Sequence, residues 1–175
     1  LVQADQSRIP EGLIRSRYPS DDRLVAIPDA LAWIGAVQDY LMYKADKALA
    51  KQLFPGIRGI LDWVDRHQDP ATSLPGNMPY SDSLALAPLT YQYLYALRQA
   101  ASIAGYCGRQ ADSALWSRTA DKLREMMYQQ CYDPGRGLYA ETPEKTTFSR
   151  YTNALAVLAE AVPPRQVKNV MQRLL

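Results

Sequence analysis

The segment Pro28 to Tyr43, PDALAWIGAVQDYLMY, constrains the fold more than any other stretch. Proline fixes its own φ and has no backbone N–H, so Pro28 belongs at a helix entrance, not in mid-helix. Asp29 follows it, where a carboxylate can accept hydrogen bonds from the first free helical N–H groups. Ala30, Leu31, Ala32, Trp33, Ile34, Ala36, Val37, Tyr40, Leu41, Met42 and Tyr43 then cover nearly the whole circumference. A helix that is apolar all round is buried all round. The segment therefore predicts an inner helix from about Asp29 to Lys44, with its start and Asp29 aimed at whatever the wall encloses.

The same test, applied along the chain, gives an alternation. Residues 1–28 read as irregular or extended, and Ile9-Pro10-Glu11-Gly12 and Tyr18-Pro19-Ser20-Asp21-Asp22 carry turn chemistry. After a joint at Ala45-Asp46, residues 47–67 carry Leu49, Leu53, Ile57, Ile60 or Leu61, and Val64 at helical spacing, with Lys47, Lys51, Arg58, Asp62, Asp65 and Arg66 opposite. This is a helix with one buried face, and Pro55-Gly56 predicts a kink or a split in it. A Pro-rich loop over 69–82 leads to a second inner helix over 83–105, whose only charge is Arg98. Residues 109–131 form another one-sided helix, with the stripe Trp116, Ala120, Leu123 and Met127. Asp133 to Gly137 is a turn, and 138–140 is briefly extended. A third inner helix spans 149–161 and stops at Pro163-Pro164, and a last helix begins near Arg165.

Inner and outer helices thus alternate three times. Consecutive helices with short links pack antiparallel. The expected fold is all-α: antiparallel helical hairpins with short extended loops, forming an arc of an (α/α)6 toroid. Residues 1–175 read as one domain, a part of such a six-hairpin unit. The inner helices start near 29, 84 and 149, about 55 and 65 residues apart. These spacings exceed the roughly 34 residues of a tetratricopeptide repeat. An arc would leave its inner helices open along one edge, so the remainder of a larger chain or another subunit is expected to cover it. The chain begins with Leu, which fits a piece of something larger or a processed form.

Composition excludes several functions. A net charge of +2 gives no electrostatic case for nucleic acid, and no apolar run reaches the roughly 18–20 residues of a membrane span. His67 is the only histidine, which argues against a zinc site or a Ser-His-Asp triad and leaves it a structural place near a helix C-terminus. Cys107 and Cys131 flank one helix, whose ends lie roughly 30 Å apart at about 1.5 Å per residue. A disulfide needs Cα atoms within about 7 Å, so both are expected as free thiols. Tyr and Trp, 12 and 3 against 2 Phe, suit helix packing and also sugar contacts.

GLIRSRYPS at 12–20, AIPDALAWI at 26–34, QDYLMYKAD at 38–46, LFPGIRGILDWVDRHQD at 53–69, YQYLYALRQAASIAG at 91–105, DPGRGLYAETPEK at 133–145 and FSRYTNALAVLA at 148–159 stand in a telling order. Together they resemble the catalytic helical toroid of bacterial α-L-rhamnosidases, glycoside hydrolase family 78, over about Gly12 to Leu158. The resemblance implies hydrolysis of a terminal α-L-rhamnoside by inversion, with an acid and a base about 6.5–9.5 Å apart. It implies a rhamnose-containing glycoside or polysaccharide as substrate, no cofactor, no metal, and a bacterial protein of the cytoplasm or periplasm. Asp29 matches a sugar-contacting Asp of that family, and Trp33, one turn on, an aromatic of its pattern. Arg17 and Tyr18, with Arg15, are expected to line the same mouth. The competing roles are a helix cap for Asp29, core packing for Trp33 and solvation for the arginines.

The sequence also departs from the family. The acidic segment that carries the family's general acid, upstream of the Gly12 region, has no counterpart in residues 1–11. The segment of its general base lies beyond the Asn-Ala-Leu-Ala-Val-Leu helix and is not reached. The loop after Tyr80 is short, running straight to Ser81-Asp82. No catalytic acid or base is therefore assigned, and Glu11, Glu141 and Glu144 read as solvated loop carboxylates. The rival reading is a non-catalytic helical-toroid module for carbohydrate binding or assembly. A third is a toroid enzyme of other sugar specificity.

Overall fold

The computed structural model describes residues 1–69, 74–75, 78–81 and 85–174. A short helix α1 (Val2–Gln6) precedes three antiparallel helical hairpins. These are α2 (Ile27–Tyr43) with α3 (Lys47–Arg66), α4 (Leu86–Tyr106) with α5 (Gln110–Cys131), and α6 (Arg150–Leu158) with α7 (Pro164–Leu174). The two-residue strands β1 (Tyr132–Asp133) and β2 (Leu138–Tyr139) pair antiparallel between α5 and α6. Helices α2, α4 and α6 form the inner row, and α3, α5 and α7 the outer. The hairpins make an arc of an (α/α)6 toroid and do not close into a ring.

Helix α4 is the centre, packed on α2, α3, α5 and α6. Its one charge, Arg98, is held by the neighbours: Nε donates to Ala159 O at 3.0 Å, and the guanidinium lies 3.7 Å from Asp121 and 3.5 Å from Glu160. A half-buried cation thus joins α4 to α5 and to the turn after α6. Below it, Tyr91 and Tyr139 meet edge-on at 5.9 Å in a tyrosine cluster with Tyr128 and Tyr132.

The linkers repeat one device. The first backbone N–H groups of a helix have no partner within it. Here Ile27 N–H donates to Tyr80 O at 2.9 Å, and Ala87 N–H to Glu141 O at 3.0 Å. Each linker that enters an inner helix therefore also covers the start of the inner helix before it. Helix α6 begins differently: the side chain of Ser149 accepts from Thr152 N–H at 3.1 Å.

Several expectations change. Residues 1–28 are not wholly irregular, because Val2–Gln6 is a helix too short to show a period. Helix α2 starts at Ile27, since Tyr80 O supplies the cap, and Asp29 makes no capping bond. Helix α3 is not split: Pro55 sits inside a continuous Lys47–Arg66 with an exposed side, where the carbonyl it leaves unpaired can meet water. The expected start at Ser83 lies outside the described residues, and α4 begins at Leu86. Helix α6 ends at Leu158, and Glu160 turns the chain at φ +55°.

The first inner helix is also not buried all round. Asp29, Ala32, Ala36 and Asp39 form an exposed stripe along α2. The stripe is two carboxylates and two alanines, and the open arc leaves it uncovered. His67, at the end of α3, stacks on Trp63 at 3.9 Å and bonds through Nδ1 to Trp63 O at 2.8 Å. Cys107 and Cys131 are both free. No helix among the described residues is long and apolar enough to cross a membrane.

Candidate functional site

The start of α2 is faced by the extended segment before it. Ser7, buried after α1, uses Oγ to accept Arg15 N–H at 3.0 Å, and Ser16 N–H donates to Leu24 O at 2.9 Å. These bonds lay residues 14–18 beside the first two turns of α2. The result is an open cavity of about 360 Å³ lined by Ala4, Ile14, Arg15, Ser16, Tyr18, Asp29, Ala32, Trp33 and Ala36.

Asp29 is exposed on the third residue of α2, and its carboxylate is free to take hydroxyl donors. Trp33 lies one turn along the same face. It is only 6% exposed, because Nε1 donates to Leu1 O at 3.2 Å and the Arg8 guanidinium covers the ring at 5.3 Å. Its packing and cavity-lining roles therefore coexist. Tyr18 presents a half-open ring to the same space. Arg17 does not line it: its side chain is 72% exposed and lies 3.5 Å from Asp22. Among the described residues, Arg15 and Asp29 are the two charged residues that line the cavity, and they form no ion pair with each other.

Arg8 reaches Trp33 because of Gly56. A Cβ at Gly56 would overlap the Arg8 guanidinium and the Asp5 carboxylate, which are paired over α3. The Pro55-Gly56 step thus seats α1, and α1 contributes Ala4 and the cover on Trp33. The part played by α1 and Ser16 left no signal in sequence. Ala32 and Ala36 could have been found, since 29, 32, 33 and 36 share one helical face.

A second cavity, about 300 Å³ and mainly apolar, opens between α2, α4 and α6, with Asp39, Gln92, Tyr95 and Leu158 among its walls. Gln92 Nε2 donates to Tyr151 Oη at 2.6 Å beside it, which ties α4 to α6. Burial, reinforced by Asp39, raises the Tyr95 phenol above its ordinary value. It is therefore a neutral donor near pH 7. Glu141 and Glu144 lie away from both cavities. Among the described residues no three His, Cys, Asp or Glu side chains gather as a metal site would require.

The arc of helical hairpins is a helical-toroid fold that this chain shares with solved α-L-rhamnosidases. It superposes on a rhamnosidase from Klebsiella oxytoca with rhamnose bound, at a TM-score of 0.81 and 18% identity, over 95% of this chain and 34% of that one. A family GH78 rhamnosidase of Bacillus sp. GL1 gives 0.79 at 18% identity, over 92% and 18%. An α-L-rhamnosidase from Dictyoglumus thermophilum gives 0.73 at 19% identity, over 99% and 20%. This chain thus spans between about a fifth and a third of those structures. No family model matches the sequence, and no curated protein matches it.

Proposed function

We propose that this chain supplies part of the sugar-binding wall of an α-L-rhamnosidase-like glycoside hydrolase. In this reading, the enzyme removes terminal α-L-rhamnose from glycosides or polysaccharides. The observation that carries the reading is the cavity at the start of α2, where Asp29, Trp33 and Tyr18 meet in a fold shared with a rhamnosidase that holds rhamnose. A carboxylate accepts sugar hydroxyls, and aromatic rings cover the apolar face of a pyranose. Ile14, Ala32 and Ala36 add an apolar wall suited to the methyl group of a 6-deoxy sugar.

Inverting hydrolysis needs a carboxylic acid and a carboxylate about 6.5–9.5 Å apart. Among the described residues Asp29 is the one carboxylate in the cavity, and in this reading it binds the sugar, so both reacting groups come from the remainder of a larger chain or from another subunit. This wall then orients the sugar and excludes water from one side. No cofactor, nucleic acid or membrane enters the scheme.

The single carboxylate also favours a second reading, a non-catalytic toroid module that binds carbohydrate or serves assembly. Two measurements on the full-length protein separate these: hydrolysis of an aryl α-L-rhamnoside, and binding of L-rhamnose by calorimetry. Turnover with binding supports the enzyme. Binding without turnover supports the module. Absence of both overturns the sugar reading.

A further inference from the structure

We infer that the apolar cavity between α2, α4 and α6 receives the group to which the rhamnose is attached, and that this group is an uncharged hydroxyaryl aglycone met by Tyr95 and Asp39. The inference rests on the sugar-binding reading above and narrows its substrate class.

The two cavities are neighbours. Ala32 and Ala36 line both, and these shared residues present only methyl groups. A glycoside with its sugar beside Asp29 therefore has its next group at the edge of the second cavity. That cavity holds about 300 Å³, a small volume among ligand pockets, and suits a compact group better than a long oligosaccharide. Pro28, Leu31, Leu155 and Leu158 give it apolar walls, and Leu158 is 53% exposed. Covering such surface with an apolar ring is favourable.

Tyr95 and Asp39 form the polar edge. The Tyr95 ring lies across Gly35 of α2, with Cε1 3.6 Å from where a Cβ there would stand. Asp39 follows Gly35 by one turn on the same face. Asp39 is exposed and Tyr95 half-exposed, so a ligand can reach both. Neither side chain has a hydrogen-bond or ion-pair partner among the described residues. A neutral phenol can donate, and a carboxylate only accepts. One hydroxyl of a ligand, accepting from Tyr95 and donating to Asp39, satisfies the pair. The Tyr95 ring also gives an aromatic aglycone an edge or a face to pack on.

Charge sets the remaining limit. Among the described residues the walls hold one carboxylate and no cation. An acidic group placed there would lose water without gaining a counter-ion. The cavity thus favours a neutral aryl rhamnoside over a rhamnose attached to a uronate in an acidic polysaccharide.

The test uses the full-length protein and three 1-thio-α-L-rhamnosides, whose sulfur link resists hydrolysis: 4-hydroxyphenyl, 4-carboxyphenyl and methyl. Calorimetry is expected to show the 4-hydroxyphenyl compound binding about tenfold or more tightly than either of the others, as burial of one aromatic ring implies. Tyr95→Phe keeps the ring and removes its donor, and is expected to cut the preference for hydroxyphenyl over methyl about threefold or more. Asp39→Lys, at an exposed position, is expected to reverse the order of hydroxyphenyl and carboxyphenyl. Equal affinity of the wild type for the methyl and 4-hydroxyphenyl compounds overturns the inference, and so does equal affinity for the two aryl compounds. If the preference survives unchanged in both variants, the sugar reading stands and this cavity is not the aglycone site. If neither L-rhamnose nor any thiorhamnoside binds, the sugar reading fails and takes this inference with it.

Discussion

Asn153 holds the backbone of Tyr139 from both sides: its Oδ1 accepts Tyr139 N–H at 2.8 Å, and its Nδ2 donates to Tyr139 O at 2.9 Å. The same Nδ2 also reaches Ser149 O at 2.9 Å. One fully buried amide thus substitutes for a missing strand partner and fixes β2 against α6.

Replacing Asn153 should therefore be among the most damaging single changes. Asn153→Ala orphans a buried N–H and a buried carbonyl, at about 1–3 kcal/mol each. Asn153→Asp keeps the acceptor but loses the donor and buries a charge. Chemical denaturation should show a loss of roughly 2–5 kcal/mol for either. A change below about 0.5 kcal/mol, typical of a surface site, would contradict the arrangement.

Gly56→Ala should unseat the N-terminus without unfolding the hairpins. The new methyl overlaps Arg8 and Asp5, so α1 must lift and Arg8 must leave Trp33. A cost of about 1–3 kcal/mol is expected, as for other overpacked sites. Hydrogen exchange should rise over residues 1–9 and stay unchanged in α4. Unaltered protection at residues 5–8 would refute the seating role.

Asp29→Ala should separate function from stability. The side chain makes no capping bond, so only its favourable place in the first helical turn is lost, about 0.3–1 kcal/mol. Rhamnose affinity should fall far more than that. A loss of 2 kcal/mol or so in stability, the upper range for a removed cap, would show that Asp29 caps α2 after all.

Alkaline pH should destabilise the fold through Cys131. Burial, reinforced by Glu144 and opposed by Lys145, pushes its thiol from 9.0 up to about 11. The unfolded chain then loses this proton near pH 9 while the folded chain keeps it to about pH 11. In that window the folded state binds more protons, so stability is complete below pH 9 and falls as pH rises through it. Burial raises Tyr91, Tyr93 and Tyr139 in the same direction. Thermal melts of Cys131→Ala between pH 8 and about 11 should show a shallower decline than the wild type. An identical slope would remove Cys131 as a contributor. Thiol reagents should label half-buried Cys107 well before Cys131.

The helices were legible because their signals are local. An apolar circumference separates α2 and α4 from the one-sided α3 and α5, and Asp46 and Ser149 mark the starts of α3 and α6 to the residue, whereas α6 ends at Leu158, five residues before Pro163. Turn chemistry at 133–137 was equally plain, and Asp133 Oδ1 accepts from Gly135 and Arg136 N–H there. The resemblance to the rhamnosidases was carried by the same segments. Helix α1 escaped because five residues contain little more than one turn. Pro55 does not split α3, because the carbonyl it strands lies on an exposed face where it can meet water.

The cavity belongs to the tertiary structure. Asp29 and Trp33 were placed together by helical spacing, yet the wall opposite them comes from Ala4, Arg15, Ser16 and Tyr18, which share no period with α2. Their position follows from Ser7 on Arg15 and Leu24 on Ser16, contacts across aperiodic turns, and from Arg8 seated over Gly56, a contact between segments far apart in the chain. Arg15 and Arg17 are near twins in sequence, and only the packed structure placed one along the cavity and the other beside Asp22. Periodicity and turn chemistry are properties of neighbours along the chain, so the sequence determined the elements and their order. Desolvation and hydrogen-bond satisfaction are properties of neighbours in space, so only the packed structure decided which side chains are buried and which line the cavity.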